Sequence, residues 1–155
     1  MSMHTAATYI RRETAISIVI NMALTALFFG VVFGLVRPVP VWGPGCYVFD
    51  FLPQGFMIGL MATLVPGALA IRARRAGKVA RWPVAPPLPR GLWARALVLA
   101  SCGAAAGVAI AAGVLWLAGL DQLPVVGALC AKLAFAAILA AMVTPLALKA
   151  VLAAA

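Results

Sequence analysis

One charged side chain, Lys132, stands inside a long apolar stretch, with no other Lys, Arg, Asp or Glu between residues 125 and 148. It lies about 10 Å inside the apolar slab, and an ammonium at that depth marks a functional site by default. Asp121 precedes it on nearly the same helical face, and Asp50 and Gln54 are expected to enter from the same side. These three are its candidate partners. Snorkelling toward water beside one of the acids is the structural alternative.

A second polar constellation opens the first apolar run. Glu13, Ser17, Asn21 and Thr25 recur every four residues, so at about 100° per residue they form one slowly drifting stripe. Ala26, Gly30 and Gly34 form a smooth stripe on nearly the opposite face. A helix with two faces not made for lipid is expected between neighbours, within its own bundle or across an oligomer interface. Buried, the Asn21 amide needs a partner. A contact between helices and a solute or proton path are the two uses open to it. Near mid-depth the polar residues are Thr25 and Thr63, which are expected to bond to each other. No carboxylate stands at that depth, where secondary transporters bind substrate and coupling ion.

Other chemistry is sparse. The chain has three acids, one histidine and three cysteines. His4 has no second imidazole with which to share a metal, and Cys46, Cys102 and Cys130 form no C-x-x-C pair. No two carboxylates are spaced as an acid–base pair, and no glycine loop is built for phosphate. Enzymatic activity, a metal and a cofactor are therefore not expected.

Composition dictates the elements that position these residues. Of 155 residues, 66% are hydrophobic and 10% charged, and the mean hydropathy is +1.13. A soluble domain carries about 25% charged residues. This chain lacks the polar surface for a soluble enzyme, a disordered tail or a free nucleic-acid binder. Four apolar runs of bilayer length cover 15–36, 51–71, 96–120 and 125–148. The expected architecture is all-α integral membrane, a four-transmembrane-helix antiparallel bundle forming a single membrane domain over residues 1–155.

The cations orient the bundle. Arg11, Arg12, Arg72, Arg74, Arg75, Lys78, Arg81, Arg90, Arg95 and Lys149 fall on one side of the membrane. Arg37, Asp50 and Asp121 fall on the other. Short loops rich in Lys and Arg stay inside, so both termini are expected in the cytoplasm. The net charge of +9 then faces anionic lipid headgroups, and no nucleic-acid motif presents it. The first apolar run is longer than a cleaved signal's core and is expected to remain as a span. Alanine- and arginine-rich usage suggests a bacterial inner membrane.

The outer loop 37–50 contains Pro38, Pro40, Gly43, Pro44 and Gly45, with Trp42 and Tyr47 as expected interface anchors. The basic, proline-rich loop 72–95 reads as a stiff connector lying on lipid. Asp50-Phe51-Leu52-Pro53 and Asp121-Gln122-Leu123-Pro124 open the second and fourth spans alike, each with an acid as expected cap and a proline in the first turn. The two halves are thus candidate hairpin repeats about an axis along the membrane normal. Small residues recur at four-residue spacing in Gly55, Gly59, Thr63 and Gly67, and again in Gly103 and Gly107, as expected for close helix packing.

Together these features point to a non-enzymatic multi-pass membrane protein acting by helix packing, in a homo-oligomer or as an accessory subunit of a membrane complex. The alternative is a small dimeric exporter or channel using Glu13, Asn21 and Lys132.

Overall fold

The computed structural model describes residues 5–154. Four long helices dominate it: α1 (Ala6–Phe33), α2 (Phe51–Arg75), α3 (Leu92–Ala118) and α4 (Val125–Ala154). All four are long and apolar enough to cross a bilayer. The chain is a multi-pass membrane protein with an all-α four-helix bundle. Both ends of the described chain and the α2–α3 loop lie at one end, here the basic end; the other two loops lie at the opposite end.

Helix limits differ from those of the apolar runs because caps, not hydropathy, set them. Thr5 caps α1, its hydroxyl oxygen accepting from the Thr8 N–H at 3.3 Å, so Arg11, Arg12 and Glu13 fall within the helix. At the far end Gly34 adopts φ +71° and turns the chain out of α1, its N–H bonded to the Gly30 carbonyl. Gly34 is therefore a helix stop rather than part of a packing stripe. Pro66 and Pro145 lie inside α2 and α4, as transmembrane helices tolerate.

The central pair is α2 and α4. On one flank α3 packs along α2; on the other α1 packs along α4, whereas α1 meets α2, and α3 meets α4, only lightly. Exchanging α1 with α3 and α2 with α4 leaves this pattern unchanged, as two hairpin repeats require. The two loops at the non-basic end join across the same axis. Strand β1 (Val39–Pro40) pairs antiparallel with β2 (Gln122–Leu123), Val39 opposite Leu123 and Pro40 opposite Gln122.

The capping role expected of the two acids is not what the structure builds. Asp50 is helical in φ and ψ and makes no side-chain cap bond. Asp121 lies ahead of β2, its carbonyl accepting from Val41 N–H at 3.0 Å. The halves also differ in residues 41–50, which fold inward as a plug. Val41, Cys46, Tyr47 and Val48 are buried with Phe29, Phe51, Leu115 and Ala128. Tyr47 is therefore core rather than an interface anchor; Trp42 remains exposed.

Small residues make the α2–α3 seam. A Cβ added to Gly59 would stand 2.6 Å from Ala100 Cα, and one on Gly103 would stand 2.9 Å from the Gly55 carbonyl oxygen. Gly67 is closed by Leu92, and Gly107 by the Phe135 ring. Backbones this close gain dispersion contacts that a larger side chain would forbid. The smooth face of α1 is different: a Cβ added to half-buried Gly30 would meet nothing within 4 Å, and Ala26 is exposed. Within one copy α1 is held along one side and is not sandwiched as its two stripes suggested.

At the basic end, the loop is tied to the end of α4. The Trp82 N–H and Arg81 Nε donate to the carbonyls of Leu152 and Ala153, each at 3.2 Å, and Lys149 sits over the Trp82 ring. These bonds satisfy carbonyls that α4's last turn cannot pair internally.

Candidate functional site

Asp50 and Gln54, one turn apart, share a face of α2, and α4 carries Lys132 against that face. Lys132 is 1% exposed. Its Nζ donates to Asp50 Oδ2 at 2.5 Å and to Gln54 Oε1 at 3.0 Å. The Gln54 amide in turn donates to Thr25 Oγ1 and to the Lys132 carbonyl, each at 3.3 Å. Three helices are thus stapled through one ammonium.

The staple sits in an aromatic box. Nζ lies 4.0 Å from the Phe51 ring centroid, 5.0 Å from Tyr47 and 6.0 Å from Phe33. Negative ring faces favour a cation there. The Tyr47 hydroxyl donates to the Ala128 carbonyl at 2.8 Å. Burial, and then the charge of Asp50, raise the phenol's pKa, so Tyr47 remains a donor. Lys132 does not snorkel, and Asp121 is not its partner: strand pairing holds Asp121 at the exposed end of the bundle.

Toward the basic end the α1 stripe continues through Ser17 and Asn21, both buried. The Thr144 hydroxyl donates to Ser17 Oγ at 2.9 Å and ties α4 to α1. The Asn21 amide donates within its own helix, to Ser17 O at 2.8 Å and Ser17 Oγ at 3.3 Å. Its carbonyl oxygen has no protein partner among the described residues. The expected Thr25–Thr63 bond does not form. Thr63 faces the α2–α3 seam and back-bonds to the Gly59 carbonyl at 2.8 Å, while Thr25 accepts from Gln54.

Because α1 and α2 barely touch, a crevice runs between them. Its outer part, about 390 Å³, is lined by Thr25, Phe28, Gln54 and Met57 and ends at Asp50 and Lys132. Its inner part, about 180 Å³, is lined by Glu13, Ser17, Ile20 and Val65. Asn21, Leu24 and Met61 line both. The symmetry-related crevice between α3 and α4 is bridged. Phe135 closes over Gly107, and a Cβ on Gly103 would stand 3.1 Å from Leu139 Cδ2. Side chains of α4 thus reach across to α3 at Gly103 and Gly107, whereas the cleft between α1 and α2 holds the two cavities.

The remaining candidates do not converge. Cys46 is buried in the plug, and Cys102 and Cys130 are exposed on separate helices. Among the described residues no three His, Cys, Asp or Glu side chains are placed to hold a metal ion. His4 lies outside the described residues. Sequence reasoning missed Thr144 as the partner of Ser17, although it is the one hydroxyl in α4. It also missed the box of Phe33, Tyr47 and Phe51, for which the signal was several rings near the membrane end that Lys132 approaches. Comparison with known proteins finds no matching family model, curated protein or solved structure.

Proposed function

We propose that this chain is a non-enzymatic component of a bacterial inner membrane, with both termini cytoplasmic, that works by packing against a further transmembrane helix. That helix comes from a second copy or from another subunit of a membrane complex. The observation that carries this reading is the open α1–α2 crevice beside its bridged counterpart between α3 and α4. The polar groups of the spans support it, because they are used to hold helices together: Lys132 on Asp50, Gln54 on Thr25, Thr144 on Ser17. What stays uncovered on α1 suits a helix partner. On the crevice side the Asn21 carbonyl can accept one hydrogen bond and Met57 and Met61 of α2 give an adaptable wall, while Ala26 and Gly30 leave a second, smooth surface on the opposite face of α1. The test is purification of the tagged protein in mild detergent. A second copy or a discrete membrane protein is expected to accompany it, and Leu24→Trp, which fills the crevice, is expected to release that partner. A solitary monomer in both cases would refute the reading.

A second reading has its own observation. The two cavities share Asn21 and run from Glu13 to the Lys132–Asp50 pair, which is half the wall of a path that a second copy would close. Under that reading purified protein in liposomes carries a small solute or ion, and Glu13→Gln abolishes the flux.

A further inference from the structure

Where α2 ends, α3 begins and α4 ends, four arginines surround a cavity of about 510 Å³: Arg74, Arg75, Arg90 and Arg95, with Leu92 and Val151 as apolar wall. Arg95 is 2% exposed. Its Nε and one terminal nitrogen donate to the carbonyls of Pro89 and Arg90, each at 3.2 Å. A guanidinium has five N–H donors, and these two bonds use two of them. Arg74 already interacts within the protein, and Arg75, Arg90 and Arg95 are enough to hold an anion without it.

Among the described residues no acidic side chain pairs with Arg75, Arg90 or Arg95. Of the three acids in the chain, Asp50 is bound to Lys132, Asp121 lies at the opposite end, and Glu13 lines the α1–α2 crevice. Like charges gathered beside a partly dry cavity repel one another until an anion joins them. Planar guanidinium forks match the paired oxygens of a phosphate. The cavity lies where spans give way to loop, the depth of a headgroup, with Leu92 and Val151 as its apolar side.

We propose that this cavity binds the phosphate of one anionic phospholipid, with Arg75, Arg90 and Arg95 on the phosphate and an acyl chain descending past Leu92. The site is independent of the α1–α2 crevice and of any partner there.

Native mass spectrometry of the full chain tests this. Phosphatidylglycerol is expected to stay bound as a one-to-one adduct in preference to phosphatidylcholine, whose phosphate carries its own cation. Arg75→Gln with Arg90→Gln is expected to weaken retention at least about 30-fold, from the loss of two direct charge-assisted contacts to one phosphate. The control pair Arg72→Gln with Lys78→Gln removes the same charge from exposed positions outside the cavity. It is expected to change retention by less than about twofold, because those charges are screened. Equal loss in both pairs, or equal retention of the two lipids, would overturn the proposal. So would displacement of phosphatidylglycerol by millimolar inorganic phosphate, which would identify a soluble anion as the occupant. Should the glutamine pair melt early, Arg75→Lys with Arg90→Lys replaces it. That pair keeps the charge but loses the fork, and unchanged retention would refute the site.

Discussion

Removing the ammonium of Lys132 tests the staple directly. Lys132→Met keeps the length of the side chain and strands the Asp50 carboxylate beside the rings of Phe51 and Tyr47. Breaking one side of a buried pair costs about 3–5 kcal/mol. The Asp50 side chain is 26% exposed, so part of its hydration survives. A cost of about 2–3 kcal/mol is therefore expected. Asp50→Asn is expected to cost a similar amount, because it leaves an ammonium with 1% exposure among neutral amide oxygens and aromatic rings with no counter-charge. With both groups removed neither charge is stranded. The double variant should then cost no more than either single one, a coupling of about 2–3 kcal/mol. Equilibrium unfolding in mixed micelles of increasing SDS content measures all four corners of the cycle. Additive losses, or a Lys132→Met variant within about 0.5 kcal/mol of wild type, would refute the staple.

Three further outcomes are expected. Gly59→Ala places a methyl 2.6 Å from Ala100 Cα; forcing α2 and α3 apart costs about 1–3 kcal/mol, and Gly59→Leu prevents accumulation of folded protein, as read by thermal melting and yield. Tyr47→Phe removes a second hydrogen bond from the Ala128 carbonyl, which lies within α4, at a cost of about 0.5–1.5 kcal/mol. The raised pKa of Tyr47 has a definite sign: its stabilisation is complete below about pH 10, the unfolded phenol's value, and declines above it, a decline that Tyr47→Phe should lack in unfolding titrations. For topology, Ala85→Cys is expected to react with a membrane-impermeant maleimide only after the cells are opened, and Pro44→Cys in intact cells; the reverse pattern would invert the bundle.

The four helices were legible because lipid leaves no other choice: an apolar run of bilayer length with no water to bond its backbone must be a helix. Four-residue spacing likewise exposed the seam face of α2, and the structure places Gly55 and Gly59 against α3. The same spacing misled on α1. A smooth stripe does not say whether anything covers it, and the pairing of α1 with α4 leaves open space at Gly30. Lys132 advertised itself, but three partners were open to it. The choice of Asp50 over Asp121 depends on the β1–β2 pairing, which no local pattern encodes. Tyr47 reads as an interface residue until residues 41–50 are known to fold inward. The open crevice was least legible of all, since it depends on which helices pair: α1 lies along α4 and meets α2 only lightly.

A photoreactive residue at Met61, which lines both halves of the crevice, puts the central claim to its sharpest test. Irradiated in living cells, it should give one discrete protein adduct, the size of two copies or of one copy with a single partner. Leu24→Trp should suppress that adduct, and the same probe at Val114, exposed on α3, should not form it. Lipid adducts alone at Met61, no different from those at Val114, would contradict the account.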